Sequence, residues 1–143
     1  AFSAFHILRM MALGADTVNS ARGMMLALGC IQSRSCNTDK CPTGITTQNP
    51  ARYRPLDVTD KGVRVANYPH SSMETLAELL SILGKDRLED LEPADIQRRV
   101  SQGSVMNYAE LYPCIDDGCL LHKDCAPEAW ASDWRQAITD RWR

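Results

Sequence analysis

Apolar residues return every three or four positions in several stretches of the chain, which is the spacing of one helix face. In FHILRMMALG that face consists of Phe5, Leu8, Met11 and Ala12, and Gly14 follows as a C-terminal stop. MMLALGCIQSR resumes with a helix that is apolar almost all round, as expected of a helix buried on several sides. Between them, residues 16–20 have the pattern of one β-strand. A single strand cannot pair its own backbone groups, so we expect its sheet partners outside this chain.

The middle of the chain predicts a long loop followed by helices. Residues 36–58 contain three prolines and a glycine among polar residues, which predicts an irregular loop. TDKGVRVANY then begins a helix that Pro69 is expected to break or kink. Ser71 and Glu74 have the spacing of a capping box before an amphipathic helix that stops at Gly84.

Shorter helices are predicted towards the C-terminus. EPADIQRRV has Pro93 at a first helical turn, and YAELY indicates one more turn. A last amphipathic helix begins at Pro127, with its apolar face formed by Trp130, Trp134 and Ile138. The pattern as a whole predicts a mainly α-helical chain.

Composition excludes some classes of function. The 143 residues are 24 % charged and 44 % hydrophobic, as expected of one globular, cytoplasmic domain. The net charge of −2 and the absence of a Lys/Arg block argue against binding to nucleic acid or to an anionic membrane. We expect neither a transmembrane helix nor a signal peptide. The chain opens at Ala1 inside a helical pattern, which suggests a piece of a longer protein.

Three cysteines in CIQSRSCNTDKC are candidate metal ligands. Cys30, Cys36 and Cys41 match the three terminal ligands that the irons of a [3Fe–4S] cluster require, and Pro42 follows the last of them. A closed zinc site would need a fourth ligand. Packing of free cysteines in the core is the alternative, above all for Cys30.

A second group of cysteines lies near the C-terminus. Cys114, Cys119 and Cys125 enclose His122, so this group could bind zinc or could be incidental. Without a secretion signal, the sequence argues against structural disulfides in either group.

The stretch LGADTVNSARGMMLALGCIQSRSCNTDKCPTGITTQNP, residues 13–50, resembles the end of the FMN-binding domain of the glutamate synthase family. A looser similarity continues through VANY and ETLAELLSILG to residue 84, and YAELYP resembles the tail of the family. The resemblance implies a (β/α)8 barrel, with its C-terminal helix–strand–helix at residues 4–13, 16–20 and 22–33. Residues 1–59 would then end the barrel and carry the Fe–S loop, and residues 60–143 would form a C-terminal helical extension.

The resemblance also implies a chemistry. In this family the cysteines that match Cys30, Cys36 and Cys41 hold a [3Fe–4S] cluster that exchanges electrons with FMN. The flavin reduces 2-iminoglutarate, made from 2-oxoglutarate and ammonia, to glutamate. The implied partners are the remainder of the barrel and an amidotransferase or electron-donor subunit. No catalytic residue is assigned in this chain, which we expect to be inactive in isolation.

The junction between residues 16–20 and the next helix is a candidate FMN phosphate site. It consists of Ser20, Ala21, Arg22 and Gly23. Barrels commonly bind phosphate near their last strands, through backbone N–H groups at a helix start, and Arg22 could add a charge-assisted hydrogen bond. In the alternative, Ser20 is only a helix cap and Arg22 pairs with Asp16 or with solvent.

Two other functions compete with the oxidoreductase. The chain could be a non-enzymatic helical interaction domain, in which the apolar faces around residues 5–12 and 24–31 drive self-association. It could also be a small zinc-binding protein that uses one or both cysteine groups.

Overall fold

The structure is a computed structural model that describes residues 1–112, 114–122 and 125–137. Its α-helices are α1 (Ala4–Ala12), α2 (Ala21–Ala27), α3 (Pro50–Tyr53), α4 (Val58–Ile82), α5 (Tyr108–Leu111) and α6 (Ala131–Gln136). Single 3-10 turns lie at residues 36–38, 88–90, 93–95, 119–121 and 128–130. The prediction of a mainly helical chain is confirmed. In the described part, no helix has the length and apolarity needed to cross a membrane.

The long helix α4 is the element on which the other helices pack. Asp57 caps its start by accepting hydrogen bonds from the backbone N–H groups of Thr59 and Asp60, and its end passes into Gly84 at φ +68°. Helices α1 and α2 both contact α4. The hydrophobic core consists of Ala4, Leu8, Ala12, Leu76, Leu80, Leu91, Ile96 and Tyr108. This core joins the first helix to residues far along the chain.

Two predictions about α4 are wrong. Pro69 lies inside the helix and does not break it, although proline cannot donate a hydrogen bond to the carbonyl of Val65. Ser71 and Glu74 therefore lie in the helix interior and form no capping box. Packing against α1 and α2 explains why the helix continues through a local breaker, since tertiary contacts supply most helix stability in proteins. The predicted end at Gly84 is confirmed.

The segment EPADIQRRV differs from its prediction as well. Pro93–Asp95 forms only one 3-10 turn, and the chain then enters strand β1 (Gln97–Ser101). This strand pairs with β2 (Ser104–Asn107) in an antiparallel hairpin, with Arg98 opposite Met106. The hairpin pairing, which periodicity over a short segment does not reveal, decides the structure here. The turn predicted in YAELY is confirmed as α5.

The helix–strand–helix predicted for residues 4–33 is only partly present. Helix α1 agrees with it, whereas residues 16–20 lie in no strand of the described structure. Helix α2 ends at Ala27, before Gly29 at φ +102°, and does not reach residue 33. The only sheet among the described residues is a two-stranded antiparallel one, so no barrel strand is present there. The predicted boundary at residues 59–60 falls in the first turn of α4 and remains a prediction for the intact protein.

The C-terminal helix is shorter than predicted and begins later. A 3-10 turn holds Trp130, and α6 contains Trp134. Ile138, the third residue of the predicted apolar face, lies outside the described residues.

Candidate functional site

The cysteine loop lies between α2 and α3. Cys30 follows the end of α2, Cys36 begins a 3-10 turn, and Cys41 comes just before the turn that leads towards α3; all three are free thiols. Cys36 is exposed, whereas Cys41 is buried with 5 % of its surface exposed. The three candidate ligands therefore have different environments along one loop.

Hydrogen bonds hold the second half of the loop in place. The backbone N–H of Gln48 donates to Asp39 Oδ1 at 2.5 Å, and the Thr47 hydroxyl donates to the Asp39 carbonyl at 2.7 Å. Arg52 of α3 donates from Nη1 to the Lys40 carbonyl at 2.8 Å. These contacts fix the backbone on the N-terminal side of Cys41.

Gly44 allows the same loop to approach α3 closely. A Cβ at this position would overlap the Arg52 carbonyl and would lie 3.0 Å from Tyr53 Cα, and φ is +80°. A side chain is therefore excluded by both space and backbone conformation. The CPTG sequence is thus explained by a turn that only glycine completes.

Hydrogen bonds to its sulfur lower the pKa of Cys41 from 9.0 to about 6. The first cause is the Thr43 hydroxyl, whose Oγ1 lies 3.3 Å from Sγ, and Thr46 adds backbone and hydroxyl interactions. Within the described chain, Thr46 Oγ1 is buried and has no hydrogen-bond partner at ordinary distance, so a charged sulfur beside it would be its natural acceptor. The thiolate is the form of cysteine that binds metals.

The donor atoms of this loop fit an Fe–S cluster, but their side chains are not grouped around a common point. Three free thiols on one loop, one of them with a lowered pKa, are the donor set that iron requires. In residues 1–112, 114–122 and 125–137, however, no three His, Cys, Asp or Glu side chains are grouped as a metal site. The structure therefore provides the donors without bringing the three sulfurs together.

The candidate phosphate residues have a different arrangement from the one predicted. The Ser20 hydroxyl donates to the Ala1 carbonyl at 2.7 Å and hydrogen-bonds the Tyr68 hydroxyl at 2.6 Å, and it makes no cap bond to α2. A Cβ on Gly23 would overlap the Tyr68 hydroxyl and lie 2.5 Å from its Cζ. Tyr68 therefore occupies the space beside Ser20 and Gly23. Sequence reasoning missed Tyr68, because nothing local pairs VANY with SARG.

Arg22 lines a cleft that neither Ser20 nor Tyr68 lines. This cleft of about 550 Å³ is also lined by Phe2, Gln32, Arg34 and Cys36. The structure thus places one candidate phosphate residue and one candidate cluster ligand in the same cleft. No salt bridge joins Arg22 to Asp16 in the part of the chain that is described.

The prediction against disulfides is wrong for the second cysteine group. Cys119 and Cys125 are disulfide-bonded with their Cα atoms 5.4 Å apart, whereas Cys114 is free and exposed. Cys119 begins the 3-10 turn at residues 119–121. The absence of a secretion signal bears on the compartment and not on how closely two cysteines approach each other. A disulfide sulfur is not a thiolate, so this pair does not supply zinc ligands in this state.

Comparisons with known proteins place the chain in a family. A family model described as the conserved region in glutamate synthase matches residues 2–86. A glutamate synthase large subunit-like protein of Bacillus subtilis, YerD, is 39 % identical over 101 residues, which is 71 % of this chain and 19 % of YerD. An archaeal-type glutamate synthase [NADPH] of Thermotoga maritima is 30 % identical over 124 residues, covering 87 % of this chain and 22 % of the relative.

A third relative, the archaeal glutamate synthase [NADPH] of Methanocaldococcus jannaschii, is 36 % identical over 85 residues, or 59 % of this chain and 17 % of its own length. No solved structure matches the chain. The chain belongs to the glutamate synthase family, and it spans about a fifth of the length of these curated relatives.

Proposed function

We propose that this chain is the C-terminal part of an FMN- and [3Fe–4S]-dependent oxidoreductase that makes glutamate from 2-oxoglutarate and ammonia or glutamine. Family membership supports the class of enzyme, and the relatives are named as glutamate synthases, several with NADPH. No residue of this chain is assigned a catalytic step.

Cys30, Cys36 and Cys41 are the proposed cluster ligands. The observation that supports this most is that three free thiols lie on one loop within the family-matched region, where hydrogen bonds lower the pKa of Cys41. When bound, the cluster supplies one-electron transfer. The chain's own part is to present thiolates, and the Thr43 hydroxyl stabilises the negative charge on Cys41 Sγ by donating a hydrogen bond.

Residues 20–23 are the proposed contribution to FMN binding. Arg22 is the member with a charged group facing a cleft, which suits a flavin phosphate. Ser20 and Gly23 instead position Tyr68 of α4, so their part in this site is to set the distance between α2 and α4. When bound, FMN supplies hydride and electron transfer.

The proposed division of the intact protein assigns residues 1–59 to the end of the barrel and residues 60–143 to a helical extension. The remainder of the barrel would complete the active site, and an amidotransferase or electron-donor subunit would supply ammonia or electrons. Exposed apolar residues favour contact with such partners: Ile31 is 65 % exposed, and an apolar cleft of about 420 Å³ lies between Leu28 and Val65. The same surfaces support the alternative of a helical interaction domain that self-associates.

Iron and acid-labile sulfide content, with an EPR spectrum, tests the cluster on anaerobically prepared intact protein. We expect about three irons per chain and an oxidised-cluster signal. Cys36→Ser should lose both iron and signal. Cys114→Ser is the matched control, because it removes a free, exposed cysteine outside the family-matched region.

Two results would contradict the proposal. Iron and sulfide absent from folded, flavin-loaded protein would leave the cysteines as packing residues. Zinc at one equivalent without sulfide would favour a zinc-binding protein instead.

A further inference from the structure

The turn from Cys41 to Gly44 places a hydroxyl group beside the sulfur of Cys41. The backbone N–H of Gly44 donates to the Cys41 carbonyl at 3.4 Å and closes the turn. Inside it, Thr43 Oγ1 lies 3.3 Å from Cys41 Sγ. Gly44 lies against the Arg52 carbonyl of α3, so the last residue of the turn is held in place. The position of the Thr43 hydroxyl is therefore set by the turn itself.

Thr46 brings a second hydroxyl to the same sulfur. After the Thr43 hydroxyl, the backbone and the hydroxyl of Thr46 are the next causes of the lowered pKa of Cys41. Among the described residues, Thr46 Oγ1 is buried and has no hydrogen-bond partner at ordinary distance. A buried hydroxyl without a partner is uncommon, because burial also removes it from water. A negatively charged acceptor would satisfy it, and a metal-bound thiolate of Cys41 is such an acceptor.

We infer that the Thr46 hydroxyl, together with that of Thr43, donates to Cys41 Sγ when this sulfur is a cluster ligand, and that the two donors raise the reduction potential of the cluster. The assignment to a cluster rests on the proposed function. Hydrogen bonds to the sulfurs are among the factors that set cluster potentials. One-electron reduction without proton uptake adds one negative charge, and a hydrogen-bond donor stabilises the more negative state more strongly. Thr46 is thus a positioning residue, which acts on the cluster through Cys41.

The environment of Cys41 differs from that of the other two proposed ligands. Cys36 is exposed, and Cys30 Sγ accepts one hydrogen bond, from the backbone N–H of Gln32 at 3.4 Å. Cys41 is buried, and a hydrogen bond is electrostatically stronger where water is excluded. Removing the hydroxyls beside Cys41 is therefore expected to change the potential more than removing a hydroxyl elsewhere on the loop.

An EPR-monitored redox titration of the intact, cluster-loaded protein measures this effect. Thr46→Val removes the hydroxyl and keeps the shape of the side chain. We expect it to lower the midpoint potential by about 59 mV, which for one electron is a tenfold change in the ratio of oxidised to reduced cluster. Thr43→Val should shift the potential in the same direction. Thr46→Ser, which keeps the hydroxyl, should stay close to the wild type.

Thr38→Val is the matched control. Its hydroxyl lies on the same loop but donates to the Ser35 carbonyl at 2.8 Å, so its removal should leave the midpoint potential unchanged. A potential in Thr46→Val equal to that in Thr38→Val would overturn the inference. An equal decrease in Thr46→Val and Thr46→Ser would also overturn it, because the hydroxyl would then not be the cause.

Iron and sulfide content separates the possible failures. A full cluster with an unchanged potential in Thr46→Val refutes the inference alone. Loss of the cluster from Thr46→Val but not from Thr46→Ser would still assign the contact to the hydroxyl; the potential is then measured in Thr43→Val, where an unchanged value would overturn the inference. Loss from both Thr46 variants would make Thr46 a packing residue and overturn it. Iron absent from folded, flavin-loaded wild type would instead overturn the proposed function, and the inference with it.

Discussion

Gly23→Ala is expected to destabilise the protein, against the usual effect of this change in a helix. Gly23 is buried in α2, where the hydroxyl and Cζ of Tyr68 occupy the position of an added Cβ. The methyl group would have to displace the Tyr68 ring. That displacement would also disturb the 2.6 Å hydrogen bond between Tyr68 and Ser20.

The magnitude follows from three opposing contributions. Overpacking costs about 1–3 kcal/mol, and loss of the Tyr68–Ser20 hydrogen bond costs about 1 kcal/mol. Replacing glycine in a helix returns about 1 kcal/mol. We therefore expect the free energy of unfolding to fall by about 1–3 kcal/mol, which corresponds to a Tm lower by about 2–4 °C for each kcal/mol in a chain of this size.

Urea unfolding followed by circular dichroism measures this change, with Gly62→Ala as the matched control. Gly62 is also a helix glycine, in α4, but nothing lies within 4 Å of the Cβ it would gain. The same substitution should therefore stabilise the protein there by up to about 1 kcal/mol. If Gly23→Ala stabilised the protein as much as Gly62→Ala does, the close contact between α2 and Tyr68 would be refuted.

Three further predictions concern the core, the long helix and the cysteine loop. Leu8→Ala should lower the free energy of unfolding, measured in urea, by about 2–5 kcal/mol, because Leu8 is only 2 % exposed. A decrease as small as that caused by Phe5→Ala, at an exposed position, would contradict the placement of Leu8 in the core. Pro69→Ala should raise the unfolding free energy by about 1–3 kcal/mol, since it restores a helix hydrogen bond; a decrease would show that the proline ring is needed. In metal-free protein, the pKa of Cys41 is about 6, below the ordinary 9.0, so ionisation of this thiol stabilises the folded state. The stabilisation is complete above pH 9 and is lost as the pH falls through 6. The difference in thiolate absorbance between the wild type and Cys41→Ser, followed against pH, should have its midpoint at this pKa. Thr43→Val should raise that midpoint, and an unchanged midpoint would exclude the Thr43 hydroxyl as the main cause of the lowered pKa.

Local rules were sufficient for features whose causes lie close together in the sequence. The stop at Gly84 follows from glycine chemistry and is present, and Leu8 and Ala12 of the predicted α1 face are buried. Phe5, which helical spacing placed on the same face, is 49 % exposed. The short turn at YAELY follows in the same way, because Asn107 caps it through the N–H of Glu110 three residues later. In the candidate site, spacing named the three cysteines as candidate ligands, and that role stays a prediction.

Local rules failed where a distant contact decided the outcome. Pro69 is tolerated because α4 packs against α1 and α2, and the strand at Gln97–Ser101 exists because it pairs with residues 104–107. The Cys119–Cys125 disulfide joins two residues whose Cα atoms lie 5.4 Å apart, and the cellular compartment does not determine that distance. Each of these errors came from judging a segment without its partner.

The sequence by itself determined the family, the mainly helical character and the residue types of the candidate site, because these depend on local pattern and on motif. Only the tertiary structure decided that Tyr68 fills the space beside Gly23 and that Arg22 shares a cleft with Arg34. The physical reason is that both contacts join positions separated by a change of chain direction. Hydrophobic spacing determines which face of a helix is buried, but it does not determine which side chain arrives from another part of the chain.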